Sequence, residues 1–168
     1  MVPILLFVAP SGAGKTTLLE KVVIGLKGRG YKVGAMKHTG HSVAFDKEGS
    51  DSWRFSRAGA DVTVISSPGS VALRRKAEED LSIDAMVQRY GLTDLDIMLV
   101  EGHKQAPYPK IEIHRECLGP ELLCRGGTRD PFLEAIASDT PLEVDVPVLP
   151  LDNAGVVCDF IVKRFLER

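Results

Sequence analysis

The stretch "VPILLFVAPSGAGKTTLLEKVV" limits the fold more than any other part of the chain. Ile4 to Val8 is an apolar run of strand length. From Lys15 onward Leu18, Leu19, Val22, Val23 and Leu26 recur at helical spacing until "GRGYK", where glycine can close a helix. Between strand and helix, Gly12 and Gly14 let the backbone curl with its N–H groups turned inward, and the positive end of the helix faces the same point. The arrangement suits a nucleotide's phosphates. Ala13 lies within the curl, Lys15 is placed to reach the β- and γ-phosphates, Thr16 to ligate magnesium, and Thr17 to reach the α-phosphate. Ala9 stands where the strict pattern G-x-x-x-x-G-K-S/T begins with glycine, but alanine fits wherever φ stays negative. Pro10 has no N–H and stands outside the cradle.

Further along, short apolar runs alternate with amphipathic segments, which predicts a three-layer α/β phosphate-loop fold with a mostly parallel sheet. Strands are expected at 33–36, 62–67, 71–75, 96–102, 109–115, 133–139 and 146–151. "PGS" between the second and third of these predicts an antiparallel hairpin, a small β extension around 62–75. A long polar loop, "KHTGHSVAFDKEGSDSW", should lead into a short helix near Ser52 to Ala58, and Leu81, Ile83, Met86 and Val87 suggest a helix ending at Gly91. The segment 116–131 reads as irregular. Val156, Val157, Phe160, Ile161 and Phe165 share one face of a final helix capped by Asp152 or Asn153. No linker or repeat interrupts the 168 residues, so one nucleotide-binding domain spanning 1–168 is expected.

A phosphate loop needs a carboxylate from a neighbouring strand on the magnesium side. Glu101 in "IMLVEG" is that candidate, and with Lys15 it is the expected catalytic pair; the plainer reading is a surface glutamate after a strand. Asp51 is a second metal candidate, or a helix cap. Lys37, His38 and His41 follow the second strand, and His103 and Lys104 follow Glu101, at the edge where ligands of open α/β sheets gather. His114 and the cysteines read as structural. The guanine-reading N-K-x-D is absent, since Asn153 is the only asparagine and no lysine follows it, so the residues alone leave GTP and ATP both open.

A net charge of −2 argues against nucleic acid as a partner. Three cysteines, Cys117, Cys124 and Cys158, show no metal-like spacing and no disulfide framework, which suggests a reducing compartment. No basic residue precedes "VPILLFV", as a signal peptide would require, and no run is long enough to span a bilayer. A cytoplasmic protein without a membrane partner is expected.

The runs "FVAPSGAGKTTLL", "KHTGHSVAFDKEGSDSWRFSRAGA", "LVEGHKQAPYPKIEIHR" and "AIASD", in this order over about the first 140 residues, resemble the molybdopterin-guanine dinucleotide biosynthesis protein B family of prokaryotes. Alanine at the loop's first position is familiar there. The resemblance implies a homodimeric, GTP-binding, weakly hydrolysing adaptor, with GTP and Mg2+ as cofactors. Its implied partners are molybdopterin and the guanylyltransferase that joins GMP to it to form this version of the molybdenum cofactor. It carries the phosphate-loop roles onto Gly12, Gly14, Lys15, Thr16 and Thr17, the magnesium-side role onto Glu101, and a "G-x-D-S" match onto Asp51. Ser138 and Asp139 fall where related proteins contact the base, and an aspartate can accept from guanine N1 and N2. His103 stands where many relatives carry an aromatic residue.

Hydrolysis is expected to be slow, because no catalytic glutamine or arginine finger is identifiable beside the loop, and such groups contribute about 10³–10⁵ in rate. Arg54, Arg57, Arg74 and Arg75 are available without one being singled out. Two other functions share these features. A small-molecule kinase would use 116–131, with Arg125 and Arg129, as a lid, and a nucleotide-gated metal-delivery protein would use His38, His41 and the cysteines.

Overall fold

The computed structural model describes residues 1–41, 43–77, 81–127 and 129–167. Ser42 in the long loop and Thr128 in the weakly patterned segment lie outside them. The elements are β1 (Ile4–Val8), α1 (Lys15–Gly28), β2 (Val33–Lys37), α2 (Asp51–Arg57), β3 (Val62–Ser67), β4 (Ser70–Arg75), α3 (Ile83–Arg89), β5 (Ile97–Glu101), β6 (Lys110–His114), β7 (Leu133–Ser138), β8 (Val148–Pro150) and α4 (Ala154–Ile161). Two compact units result, one formed by Met1–Thr39 with Ile83–Arg168 and the other by Gly40–Ser82.

The first unit carries a six-stranded parallel sheet in the order β2-β5-β1-β6-β7-β8. β1 lies inside it and is buried along its whole length, which is why its sequence is apolar without alternation. Its two faces separate cleanly. Leu5 and Phe7 join Ile97, Leu99, Ile111 and Ile113 beneath α1 and α4, whereas Ile4, Leu6 and Val8 join Met98, Val100 and Ile136 on the side of α3. Helices on both faces make the three-layer α/β fold. Gly25 brings α1 and α4 close together, since a Cβ there would lie 2.7 Å from Cys158 Sγ.

Several ends differ from expectation. β8 has three residues, because Pro147 and Pro150 cannot donate to a ladder. Leu81 precedes α3, which begins at Ile83. Ser50, not Asp51, caps α2, its Oγ accepting from the Trp53 amide. Asn153 caps α4 through Oδ1 and the Val156 amide, and the chain continues as a π-helical turn, Val162–Leu166.

The second unit consists of the long loop, α2 and the β3–β4 hairpin, turned at Pro68 and at Gly69 with φ 78°. Register pairs Val64 with Leu73 and Ser66 with Val71, so Val62, Val64, Val71 and Leu73 share one face. All four are exposed, and α2 buries none of its residues.

Candidate functional site

The loop after β1 has the backbone its glycines were expected to supply. Gly12 and Gly14 have φ of 81° and 86°, in the region open to glycine, and Gly14 serves as the N-cap of α1. His103 is the one non-glycine with positive φ among the described residues, so Ala9 keeps the negative φ that alanine needs. Ala13 is fully buried and anchors the curl, while Thr16 and Thr17 are exposed beside it. Lys15 arches back over the loop, its Nζ donating to the carbonyls of Ala9 at 3.1 Å and Pro10 at 2.9 Å. An ammonium has three donors, so one remains available for an anion in the curl.

β5 lies next to β1, and Glu101 at its end meets the loop directly. The Thr16 hydroxyl donates to Glu101 Oε2 at 2.8 Å, and Lys37 Nζ, from the end of β2, lies 3.5 Å from Oε1. Glu101 is largely buried, with 13% of its side chain exposed. Gly102 is required after it, since a Cβ there would stand 2.9 Å from the His38 carbonyl oxygen. The His38 and His103 rings stack at 3.9 Å between centroids, and the His38 amide donates to the Glu101 carbonyl. Hard oxygen donors from Thr16 and Glu101 suit magnesium, which is commonly held by one or two protein oxygens together with phosphate and water. Among the described residues no group of three or more His, Cys, Asp or Glu side chains gathers to hold a metal.

On the other side of β1, β6 and then β7 end at the same edge. Ser138 is buried: its hydroxyl hydrogen-bonds with His114 Nδ1 at 3.2 Å and accepts from the Thr140 amide at 3.1 Å. His114 Nε2 donates to the Gly119 carbonyl, which gives this histidine a structural place. Asp139 faces outward. Its Oδ1 accepts from the Glu116 amide at 2.9 Å and its Oδ2 lies 3.4 Å from Arg115 Nη1, while Arg115 Nε donates to the Ala13 carbonyl at 3.1 Å. Of the two base-contact candidates, Ser138 is buried and Asp139 keeps 24% of its side chain exposed at the same sheet edge as the loop.

The molybdopterin guanine dinucleotide synthesis protein B model matches residues 4–139, which include the loop, Glu101 and Asp139. The chain belongs to this family. Among its relatives is a molybdopterin-guanine dinucleotide biosynthesis adapter protein of Escherichia coli, 39% identical over 97% of this chain and 93% of that one. The namesake from Haemophilus influenzae is 36% identical over 95% and 88%. A solved structure of Bacillus subtilis MobB superposes with a TM-score of 0.77 at 27% identity, covering 99% of each chain.

Within this family member, the described residues of 116–131 serve a purpose that their irregular sequence hid. β6 turns Ile111 and Ile113 toward α1 and α4, leaving Lys110, Glu112 and His114 on the opposite face, all buried. Lys110 Nζ donates to the Lys104 and Ala106 carbonyls and to Asp130 Oδ2 at 2.7 Å. Glu112 accepts from the Leu123 and Cys124 amides at 2.6 and 2.9 Å. The segment is thus tied against the sheet. Arg125 pairs with Asp145 at 2.6 Å and Arg129 pairs with the same carboxylate, so the two arginines expected of a kinase lid are held on this covering layer. Burial beside Glu112 pushes the Cys124 thiol up to about 12, and burial raises Cys158 too, leaving both as inert thiols at neutral pH.

Asp51, Arg54, Arg57, Arg74 and Arg75 belong to the second unit. Asp51 opens α2 with its side chain 87% exposed and 3.9 Å from Arg54, and Arg57 lies over the Trp53 ring. Sequence reasoning missed Arg115, Lys110 and Glu112. The signal available was "KIEIHR", whose alternation puts charge at every second position of a strand that also has to be interior.

Proposed function

We propose that the chain serves molybdopterin guanine dinucleotide biosynthesis as an adapter that binds GTP with magnesium and hydrolyses it slowly. The observation that carries this reading is the contact between Thr16 and Glu101 beside a glycine curl whose lysine retains a free donor. In this reading Gly12, Ala13 and Gly14 present backbone N–H groups to the phosphates, Lys15 binds the β- and γ-phosphates, and Thr17 reaches the α-phosphate. Thr16 and Glu101 would hold magnesium, which supplies charge neutralisation on the phosphates. Asp139 accepts from guanine N1 and N2. Hydrolysis is slow because the side chains that meet the loop, Lys15, Glu101 and Arg115, serve phosphate, metal and backbone rather than an attacking water.

The adapter role follows the relatives' names, with molybdopterin and its guanylyltransferase as partners. The exposed face of Val62, Val64, Val71 and Leu73 supports the homodimer, because an isolated two-stranded hairpin is marginal alone and a second copy offers the same apolar face. Light scattering on the purified protein tests this, and a monomer at micromolar concentration overturns it.

Calorimetric titration of GTP and ATP with magnesium tests the main reading. Wild type should prefer GTP, and Lys15→Ala should weaken GTP roughly 100-fold or more, since charge-assisted bonds to two phosphates are lost. Equal affinity in Lys15→Ala would refute the site. Immobilised protein should also retain the guanylyltransferase, and its failure to do so with and without GTP would refute the adapter role.

A further inference from the structure

β1, β6 and β7 are consecutive in the sheet, so the phosphate loop, Arg115 and Asp139 leave three neighbouring strands at one edge. The last paired residues of β6 and β7 are His114 and Ser138, and the very next residue on each strand is Arg115 and Asp139. Parallel strands lie about 4.8 Å apart, so a side chain from the middle strand can reach both neighbours. Arg115 does so. One side of its guanidinium donates to the Ala13 carbonyl of the phosphate loop and the other faces Asp139 Oδ2, while the backbone of the following residue, Glu116, donates to Oδ1. A planar fork with five donors is the side chain suited to such a bridge, and lysine, a point charge, can satisfy one end at a time.

We infer that Arg115 is a positioning residue for base selection: it locks the Asp139 carboxylate in the orientation that reads a guanine edge and ties that orientation to the phosphate loop. The inference rests on the nucleotide reading above. Each Asp139 oxygen accepts one bond from the protein, and a carboxylate oxygen has a second lone pair. Two acceptor sites thus remain, held side by side, for the paired N1–H and N2–H donors of guanine. Adenine offers no such pair of donors and would face an unsatisfied carboxylate, so rejection depends on that carboxylate being unable to turn away. Arg115 supplies the restraint without touching the base.

The test compares the affinities of GTP, ATP and inorganic tripolyphosphate, each with magnesium, for wild type, Arg115→Ala, Arg115→Lys, Asp139→Asn and the Arg115→Ala/Asp139→Asn double variant. Arg115→Ala should lower the GTP-over-ATP preference about tenfold, the effect of losing one charge-assisted bond, and weaken GTP clearly more than tripolyphosphate. Arg115→Lys should not restore the preference. Because Arg115 acts through the Asp139 charge, adding Arg115→Ala to Asp139→Asn should change the preference little, a non-additivity that general damage to the fold would not produce. An unchanged preference in Arg115→Ala overturns the inference. So does an equal loss of GTP and tripolyphosphate, which would make Arg115 a support of the loop alone. Wild type that prefers GTP and needs Lys15 to bind it, with a preference indifferent to Arg115, leaves the nucleotide reading standing, whereas wild type that binds neither GTP nor tripolyphosphate overturns both. Should Arg115→Ala fail to fold, Arg115→Gln, which keeps one donor for Ala13, carries the same expectation.

Discussion

On one face of the six-stranded sheet, Leu5, Phe7, Ile111 and Ile113 meet the apolar sides of α1 and α4; on the other, β6 presents Lys110, Glu112 and His114 to a layer that is mostly irregular chain. The first face is held by area. Each fully buried aliphatic side chain contributes about 1.5–3 kcal/mol there, and the helices that supply them can be recognised by period alone. The second face has an apolar core of its own on the side of α3, but along β6 it is held by specific partners: an ammonium with two carbonyls and a carboxylate, a carboxylate with two amides, and an imidazole between a hydroxyl and a carbonyl. An irregular layer has unpaired backbone groups to satisfy, and the charged stripe of β6 satisfies some of them. The charged face also lies beside the proposed base end of the candidate site, through His114 with Ser138.

Losing a partner should therefore hurt the charged face most. Lys110→Met leaves the Asp130 carboxylate and the Lys104 and Ala106 carbonyls without their common donor, and should destabilise by about 3–5 kcal/mol in urea unfolding. Adding Asp130→Leu should recover much of this, as replacing both members of a buried ion pair by apolar groups usually does. A cost under about 1 kcal/mol for Lys110→Met would break the comparison. The apolar face should respond to volume. At Gly25 a new Cβ meets Cys158 Sγ at 2.7 Å, so Gly25→Ala sets about 1–3 kcal/mol of overpacking against a helix gain of about 0.5–1. Net destabilisation is expected, relieved by Cys158→Ala; a Gly25→Ala variant more stable than wild type would show that the helix contact yields freely.

The smallest expected effect is on acid stability. Burial pushes the Asp130 carboxyl up, but the Lys110 ammonium, the Phe132 amide and the charge of Arg125 outweigh it and hold the carboxyl below its ordinary value. Its contribution is fully present above the unfolded carboxyl's value of about 3.9 and is lost as pH falls through the lower folded value. Wild type should lose more stability between about pH 5 and pH 2 than Asp130→Asn, and parallel profiles would show that the pair is not formed in solution.

Much of this was legible in advance. The loop after β1, its helix, Glu101 at the end of β5 and the β3–β4 hairpin all announce themselves through local pattern, because a glycine curl, a helical period and a turn dipeptide act over a few residues. Segment 116–131 did not, since its order comes from Lys110, Glu112 and Asp130, contacts that no window of sequence contains. The cap of α2 went to Ser50 rather than Asp51 for a related reason, as two adjacent residues of suitable chemistry compete and the backbone decides between them. Ser138 and Asp139 were legible as a pair but not as a division of labour, one facing inward to His114 and the other outward to Arg115.

What the sequence determined by itself is the strand–curl–helix unit, the parallel α/β class and the family to which the chain belongs, because each rests on residues close together or on motifs in a fixed order. What the tertiary structure decided is strand order, and with it the meeting of Thr16 with Glu101 and of Arg115 with both Ala13 and Asp139. Those contacts join residues tens of positions apart at one sheet edge, and their geometry exists only after parallel pairing has set the strands side by side.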